Sequence, residues 1–220
     1  MRYLVVIPVY NEERNISDVV NGVFKKTRDV LVVDDGSDDG TLNVLKSTGV
    51  AYLSQRHAGK GAALRAGFRY ALDKGYEWVI TMDGDGQHDS GDIQKIEAAM
   101  KTNGTDIIIG SRMEDTSRMP LLRIATNRFM SYLISSAAGC RLPDTQCGFR
   151  AIRCKVLETI MLRTTHYDTE SELIIKAGRA GFRMTSIPVI TIYNGSKSSI
   201  NKFTDTLRFI RLMSRVAREH

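Results

Sequence analysis

Residues 81–92 read TMDGDGQHDSGD, an apolar approach that ends in carboxylates, an amide, an imidazole and glycines. Asp83 and Asp85 stand two apart. An Asp-x-Asp pair after a strand offers hard oxygen ligands. These suit Mg2+ or Mn2+, which keep several waters and bridge to substrate phosphates. Gln87 adds a carbonyl that ligates the ion or holds a coordinated water, and Gly84 and Gly86 let backbone and ligand approach closely. Alone, this pattern competes with a plain Asp/Gly turn whose carboxylates cap a helix starting near Ser90. A second cluster, VVDDGSDDGT, shifts that reading. Asp34 and Asp35 end another apolar run, where a carboxylate accepts bonds from a base edge or ribose hydroxyls. Asp38 or Asp39 with Thr41 reads instead as a helix cap.

The elements that must hold these groups follow from periodicity. YLVVIPVY (3–10) is a continuous β-branched apolar run, as in a strand buried on both faces. Residues 29–41 predict a second strand stopping in an Asp- and Gly-rich turn, and 50–55, 76–82 and 106–111 predict three more strands. Asn11 or Asn15 caps a helix after the first strand, with Glu12 and Glu13 near its positive end. Residues 59–75 carry helical spacing at Ala63, Ala66, Tyr70 and Ala71, with Gly75 at the C-cap. Alternating strands and helices predict an α/β fold with a mostly parallel sheet, and such sheets bind ligands at the carboxyl ends of strands. Three polar strand ends, at 8–12, 34–38 and 83–89, fall on that rim. Beyond it, 124–138 and 170–180 read as helices, 140–153 as a loop turning extended, and 183–193 as a strand containing Pro188. No linker or repeat divides the chain, so residues 1–220 read as one domain. Its lobes are 1–113 and 114–200, followed by a C-terminal helix at 201–220.

The 220 residues are 42% hydrophobic and 25% charged, which is globular composition with a real core. The net charge of +6 favours anionic partners. Cys140, Cys147 and Cys154 are odd in number and lack CxxC spacing, which argues against a disulfide framework or a zinc site and for a reduced, cytoplasmic setting. No signal-peptide pattern opens the chain. No apolar run approaches the ~20 residues needed to cross a bilayer, so the expectation is a cytoplasmic protein, at most peripheral at the cytoplasmic membrane face. HAGKGAAL lacks P-loop spacing, and no nucleic-acid recognition motif accompanies the charge.

VVIPVYNEERNI, VLVVDDGSDDGT, GKGAALRAGF, DGDGQHD, IIIGSR and DTQCGFRAI follow one another in the order and spacing of family 2 glycosyltransferases of the GT-A fold. Over residues 2–200 the chain resembles their dolichyl/polyprenyl-phosphate sugar transferase branch. The resemblance implies a Rossmann-like sheet flanked by helices, a smaller acceptor-side lobe, and inverting transfer from a nucleotide sugar. It implies that Pro8, Tyr10, Glu12 and Asp35 line the nucleoside pocket, that Asp83, Asp85 and Gln87 hold metal and diphosphate, and that Arg112 lies near the donor phosphates. Lys60 approaches a phosphate on the same grounds, and Lys197 belongs to a loop closing over the donor. His57 departs from the pattern, standing where many members have Asn. The C-terminal membrane helices common in the branch have no counterpart.

The acceptor decides whether a base is needed. A sugar hydroxyl must lose a proton, whereas a lipid phosphate is already ionised. Asp168, Glu170 and Glu172 are the candidates; Glu170 is preferred, with Asp168 as the helix N-cap. For a phosphate acceptor, the resemblance favours Arg128 and Arg150 over Arg118 and Arg123. In residues 201–218, Arg208, Arg211, Arg215 and Arg218 form one stripe beside an apolar one. That amphipathic helix either lies on a membrane surface or packs on its own domain. The leading expectation is a metal-dependent hexosyltransferase using a GDP-mannose or UDP-glucose type donor and a dolichyl or undecaprenyl phosphate acceptor. The alternatives are transfer to a sugar or protein hydroxyl, and a non-catalytic nucleotide-sugar sensor or partner subunit. A nucleotidyltransferase would need a glycine-rich basic loop where PVYNEE stands.

Overall fold

The β-branched runs form the inner strands of one sheet. The structure, a computed structural model, describes residues 1–102, 104–117, 119–192, 208, 209 and 211–214. In chain order the elements are β1 (Tyr3–Val9), α1 (Ile16–Phe24), β2 (Val30–Asp34), α2 (Thr41–Thr48), β3 (Ala51–Ser54), α3 (Lys60–Asp73) and β4 (Trp78–Thr81). There follow α4 (Ile93–Met100), β5 (Ile107–Ser111), α5 (Leu121–Ala138), β6 (Arg150–Arg153), α6 (Cys154–Thr159), α7 (Asp168–Arg179) and β7 (Met184–Pro188). A single 3-10 turn, Ser90–Asp92, precedes α4. The sheet order is β3-β2-β1-β4-β6-β5-β7. β6 runs antiparallel to both β4 and β5, and the remaining pairs are parallel.

Alternate residues along β1 feed two cores. Leu4 and Val6 join Leu64 and Phe68 of α3 and Leu173 and Ile174 of α7 on one face. Val5, Ile7 and Val9 join Ile16 and Val20 of α1 and Ile93 and Ile96 of α4 on the other. Burial on both faces explains why these strands read as unbroken apolar runs. β3 departs from this, being exposed along its whole length as an edge strand. β7 forms the opposite edge, where Pro188 costs no ladder bond within the sheet.

Several boundaries differ from the sequence reading. The last strand ends at Pro188 rather than running to 193, because the chain leaves the sheet to cross the 87–92 loop. Helix α6 was not expected; at six residues it is too short to show periodicity. Asp168 is the first residue of α7, and its carboxylate accepts from His166 N–H at 3.3 Å outside the helix, so it does not serve as the N-cap. β6 and β7, both beyond residue 113, complete the sheet that β1–β5 begin.

Candidate functional site

A cleft of about 530 Å³ opens over the carboxyl ends of β1, β2 and β4. That size suits a substrate of nucleotide-sugar dimensions. Pro8, Tyr10, Glu12, Asp35, Lys60, Asp83, Asp85, Gln87, Arg112, Arg150 and Glu170 all line it. Arg128 does not: it is exposed on α5, while Arg123 and Arg208 reach the cleft instead. Arg123 and Arg128 stand five residues apart, about 140° around a helix, so one face turns only one of them inward. Arg118 and Lys197 lie outside the described residues.

Two reciprocal contacts join the loops after β1 and β2. Asn11 has φ of 59°, the single non-glycine positive value among the described residues. It is held there by bonds from its Nδ2 to Asp38 Oδ1 (2.6 Å) and from Asp38 N–H to its Oδ1 (3.0 Å). The β1 and β2 loops are thereby clasped together. Asp39 accepts from Thr41 N–H at 2.9 Å and from Glu13 N–H at 3.2 Å, but the cap position of α2 is Gly40, so Asp39 is not the N-cap expected from the sequence.

Asp35 is 2% exposed, and four donors use both its oxygens. Gln55 Nε2 and Ala58 N–H reach Oδ1 at 2.7 and 3.1 Å. Gly59 N–H and His57 Nδ1 reach Oδ2 at 2.7 and 2.9 Å. Gly59 has φ of 102°, which permits its close bond to Asp35. Asp35 therefore organises residues 55–59, and the groups turned to the cleft are the rings of Tyr10 and His57, 4.2 Å apart. The departure from Asn at position 57 thus replaces an amide with an aromatic ring.

At the end of β4 the two aspartates differ. Lys60 Nζ lies 2.7 Å from Asp83 Oδ1 and 3.0 Å from Glu170 Oε2, and His88 Nε2 lies 3.4 Å from Asp83 Oδ2. Burial works against charge on Asp83, but Lys60 and His88 outweigh it and hold its carboxyl well below the usual range. The same pairing raises Lys60 against the opposing effect of burial. Asp85 accepts a bond from Gln87 N–H at 3.0 Å. Its pKa is raised, first by burial and then by the charge of Asp83. Glu12 is raised by burial too, with Asp85 contributing. These carboxylates repel one another, so a divalent cation beside Asp85 would relieve the repulsion. Among the described residues no three His, Cys, Asp or Glu side chains form a metal-binding cluster. The donor set fits an ion that takes one or two protein oxygens and completes its shell with phosphates and water.

Sequence reasoning missed Asp144. It is fully buried and receives Arg112 Nε at 2.8 Å and Nη2 at 3.1 Å, a bidentate pair that fixes the guanidinium. The signal was available in DTQCGF, because an arginine in a buried site demands a counter-charge. Arg150 is 1% exposed. It donates from Nε to Cys147 O, from Nη1 to Glu170 O and from Nη2 to Thr145 O at 2.7–3.0 Å. It braces the 145–147 turn against α7 rather than presenting a free cation. Glu172, 1% exposed, is consumed by Thr164 and Lys176 and stands away from the cleft. The stem preceding Lys197 is tied to the acidic loop through Ile192 N–H to Gln87 O and Ile190 N–H to Asp92 Oδ2.

The sequence pattern described as "Glycosyl transferase family 2" matches residues 4–161. The chain belongs to glycosyl transferase family 2. Among family relatives, polyprenol monophosphomannose synthase of Mycolicibacterium smegmatis is 32% identical, covering 86% of this chain and 76% of that one. Undecaprenyl-phosphate mannosyltransferase of Micrococcus luteus is 30% identical over 86% and 83%. UDP-N-acetylglucosamine–dolichyl-phosphate N-acetylglucosaminyltransferase of Methanococcus voltae is 29% identical over 86% and 84%. Glucosyl-3-phosphoglycerate synthase of Mycobacterium tuberculosis, crystallised with Mg2+ and UDP, superposes with a TM-score of 0.75 at 20% identity, over 98% of this chain and 79% of that one. The fold is thus the GT-A fold, and the chain is a glycosyltransferase whose relatives include polyprenyl-phosphate sugar transferases. No helix among the described residues is long and apolar enough to cross a membrane.

Proposed function

We propose that this family 2 enzyme moves a hexose from a nucleotide sugar to a polyprenyl phosphate with inversion. The observation that carries the acceptor class is the state of Glu170. Its carboxylate is bound by Lys60 at 3.0 Å, with Arg150 Nη2 at 3.7 Å. A general base needs an uncommitted lone pair within reach of the proton it takes. Glu170 Oε2 is instead committed to Lys60, which ties the residue to Asp83. A phosphate acceptor is already ionised and needs positioning alone, which Arg123 and Arg208 at the cleft supply.

In this reading the nucleoside lies against Tyr10 and His57, whose mutual spacing Asp35 fixes. Asp83 and Asp85, with Gln87, hold Mg2+ or Mn2+. When bound, the ion supplies Lewis-acid stabilisation of the leaving diphosphate. Arg112, fixed through Nε and Nη2 by Asp144, keeps Nη1 for the donor phosphates. Lys60 holds Asp83 and Glu170 at one distance, so the donor and acceptor walls are set by one ammonium group. The acceptor phosphate oxygen forms the new bond to the anomeric carbon as the bond to the diphosphate oxygen breaks on the opposite face. No protein group takes a proton. The donor is of the GDP-mannose or UDP-glucose type, and the setting is the cytoplasmic membrane face.

The test is transfer from a panel of nucleotide sugars with Mn2+ or Mg2+, with and without a short polyprenyl phosphate, against Asp85→Ala. Metal-dependent glycosyl lipid, lost in the variant, is expected. Donor turnover indifferent to the lipid but dependent on a sugar or protein hydroxyl would overturn the acceptor assignment.

A further inference from the structure

Helix α5 is turned the wrong way round for a helix on a water-soluble surface. Over residues 121–132 its outward face carries Leu121, Leu122, Phe129 and Tyr132, which are 84, 74, 62 and 71% exposed. Its inward face carries Asn127, Ser131 and Ser135 beside Ile134 and Ala138, all buried. Ser131 Oγ accepts from Thr145 N–H at 2.9 Å, and Ser135 Oγ bonds both ways with Leu142. The inward polar groups thus tie the helix to the 142–145 turn, which carries the Asp144 that fixes Arg112. That attachment fixes which face points out. At 100° per residue, Leu121, Leu122, Ala125, Phe129 and Tyr132 fall within about 100° of the helix circumference. Single exposed apolar residues are ordinary, but a contiguous stripe on one helix marks a surface made to be covered.

We infer that this stripe seats the enzyme on the surface of an anionic lipid bilayer, beside the mouth of the acceptor cleft. The inference rests on the lipid-acceptor reading above and adds the contact surface. Three observations choose a bilayer over a protein. The helix contains no Asp or Glu, and its exposed Arg128 borders the stripe, as suits phosphate headgroups. Tyr132 stands at the far end of the stripe, a ring with an apolar body and a polar tip that suits the interfacial layer. Arg123 of the same helix lines the cleft, about 100° round the helix from Leu122, so one helix carries both the stripe that would meet the lipid and a cation at the cleft. The stem on the other side of the site adds Ile190 and Ile192, 52 and 40% exposed, flanking the cleft-lining Thr191.

The C-terminal segment does not take this role in its described part. Phe209 and Leu212 are buried in the core beside α7, and Arg208 lines the cleft. Of the two readings of this segment, packing on its own domain is the one these positions follow.

The probe is flotation of the full chain with phosphatidylcholine vesicles, with and without phosphatidylglycerol. The wild type is expected to float with the anionic vesicles. Leu122→Asn/Phe129→Asn is expected to lower the partition by about 10-fold or more, since each substitution removes apolar surface that the bilayer would cover. Transfer to a short, water-soluble polyprenyl phosphate should be unchanged in that variant, while transfer to a long-chain acceptor in vesicles falls. Flotation unaffected by the substitutions would overturn the inference. So would a wild-type dimer, seen by analytical ultracentrifugation, that the variant dissociates without any vesicle binding. Absence of lipid glycosylation in both proteins, with flotation still lost in the variant, would sink the acceptor reading and leave the membrane face standing. Because the substituted side chains are exposed, matching circular dichroism melts are expected; as a second probe, Leu121→Asn should produce a smaller loss of flotation.

Discussion

Two acidic strand ends share one rim of the sheet, and they are in opposite conditions. At the end of β2, Asp34 accepts from Ser37 N–H and Ser54 Oγ, and Asp35 accepts from four donors; both are almost fully buried. That end is finished without a ligand. At the end of β4, Asp83 depends on Lys60 and His88, and Asp85 is pushed up by burial and by Asp83. That end is held in a state that a divalent cation would relieve. Acidity at a strand end therefore does not by itself mark a ligand site. Internal satisfaction separates the carboxylate that builds a loop from the one that waits for a partner.

The contrast is sharpest in a pair of isosteric substitutions. Asp85→Asn is expected to lower metal-dependent transfer by about 100-fold or more, the scale of losing a group that stabilises developing charge. It should raise the melting temperature, because it removes a carboxylate whose charge the fold disfavours. Asp35→Asn is expected to do the reverse to stability, costing about 1–3 kcal/mol in denaturant titration, because two backbone N–H groups lose a charged acceptor. If Asp85→Asn unfolds the protein, or Asp35→Asn leaves it untouched, the contrast between the ends is wrong.

Gly148→Ala probes the unfinished end from behind. An added Cβ would meet Asp83 Oδ2 at 2.5 Å, so the carboxylate must shift from Lys60. A fall in kcat of about 10-fold is expected, on the scale seen when an outer partner of a metal ligand is lost.

The pH dependence should follow the same division. The folded-state value of Asp85 is raised, so the protein binds that proton more tightly when folded. Its stabilising share is present at low pH and is lost as pH rises through the raised value. The stability gained by Asp85→Asn should therefore shrink as pH falls into the ordinary carboxyl range. Asp144, held low by Arg112 against burial, works the other way: its share is present above the ordinary range and lost as pH falls through the lowered value. Melting temperature against pH for wild type and Asp85→Asn checks both signs.

The smallest effect belongs to the finished end. His57→Asn restores an amide and removes the ring beside Tyr10. An increase in donor KM of a few-fold at unchanged kcat is expected, worth about 1 kcal/mol of stacking.

Much of this was legible beforehand. Strands buried on both faces announce themselves as apolar runs, and a parallel sheet places their polar ends on one rim, so Asp35, Asp83 and Asp85 could be placed together from the sequence. What each carboxylate does was not legible, because Gln55, His57 and Lys60 reach them from separate stretches of chain. Arginines were read least well. Arg150 looked like an acceptor cation but spends its donors on carbonyls, and Arg123 displaced Arg128 because helix phase depends on what α5 packs against. Its inward face mixes Asn127, Ser131 and Ser135 with Ile134 and Ala138, while its outward face carries Leu121, Leu122 and Phe129, so hydrophobicity alone misreads the phase.

The strand order has a consequence for how the chain folds. β5 finds its partners only in β6 and β7, both of which follow it in the chain. During synthesis the run from β1 to β4 can assemble from neighbouring units, while Ile107, Ile108 and Ile109 wait for at least forty further residues. Until β6 slides in beside β4, Thr81 lacks its bond to Gly148 O, and Asp83 has no wall behind it. The rim that carries Asp83 and Asp85 is therefore completed late, by insertion into the middle of the sheet rather than by growth at its edge. The waiting β5 is an unpaired apolar strand that a slow-folding variant would expose to aggregation.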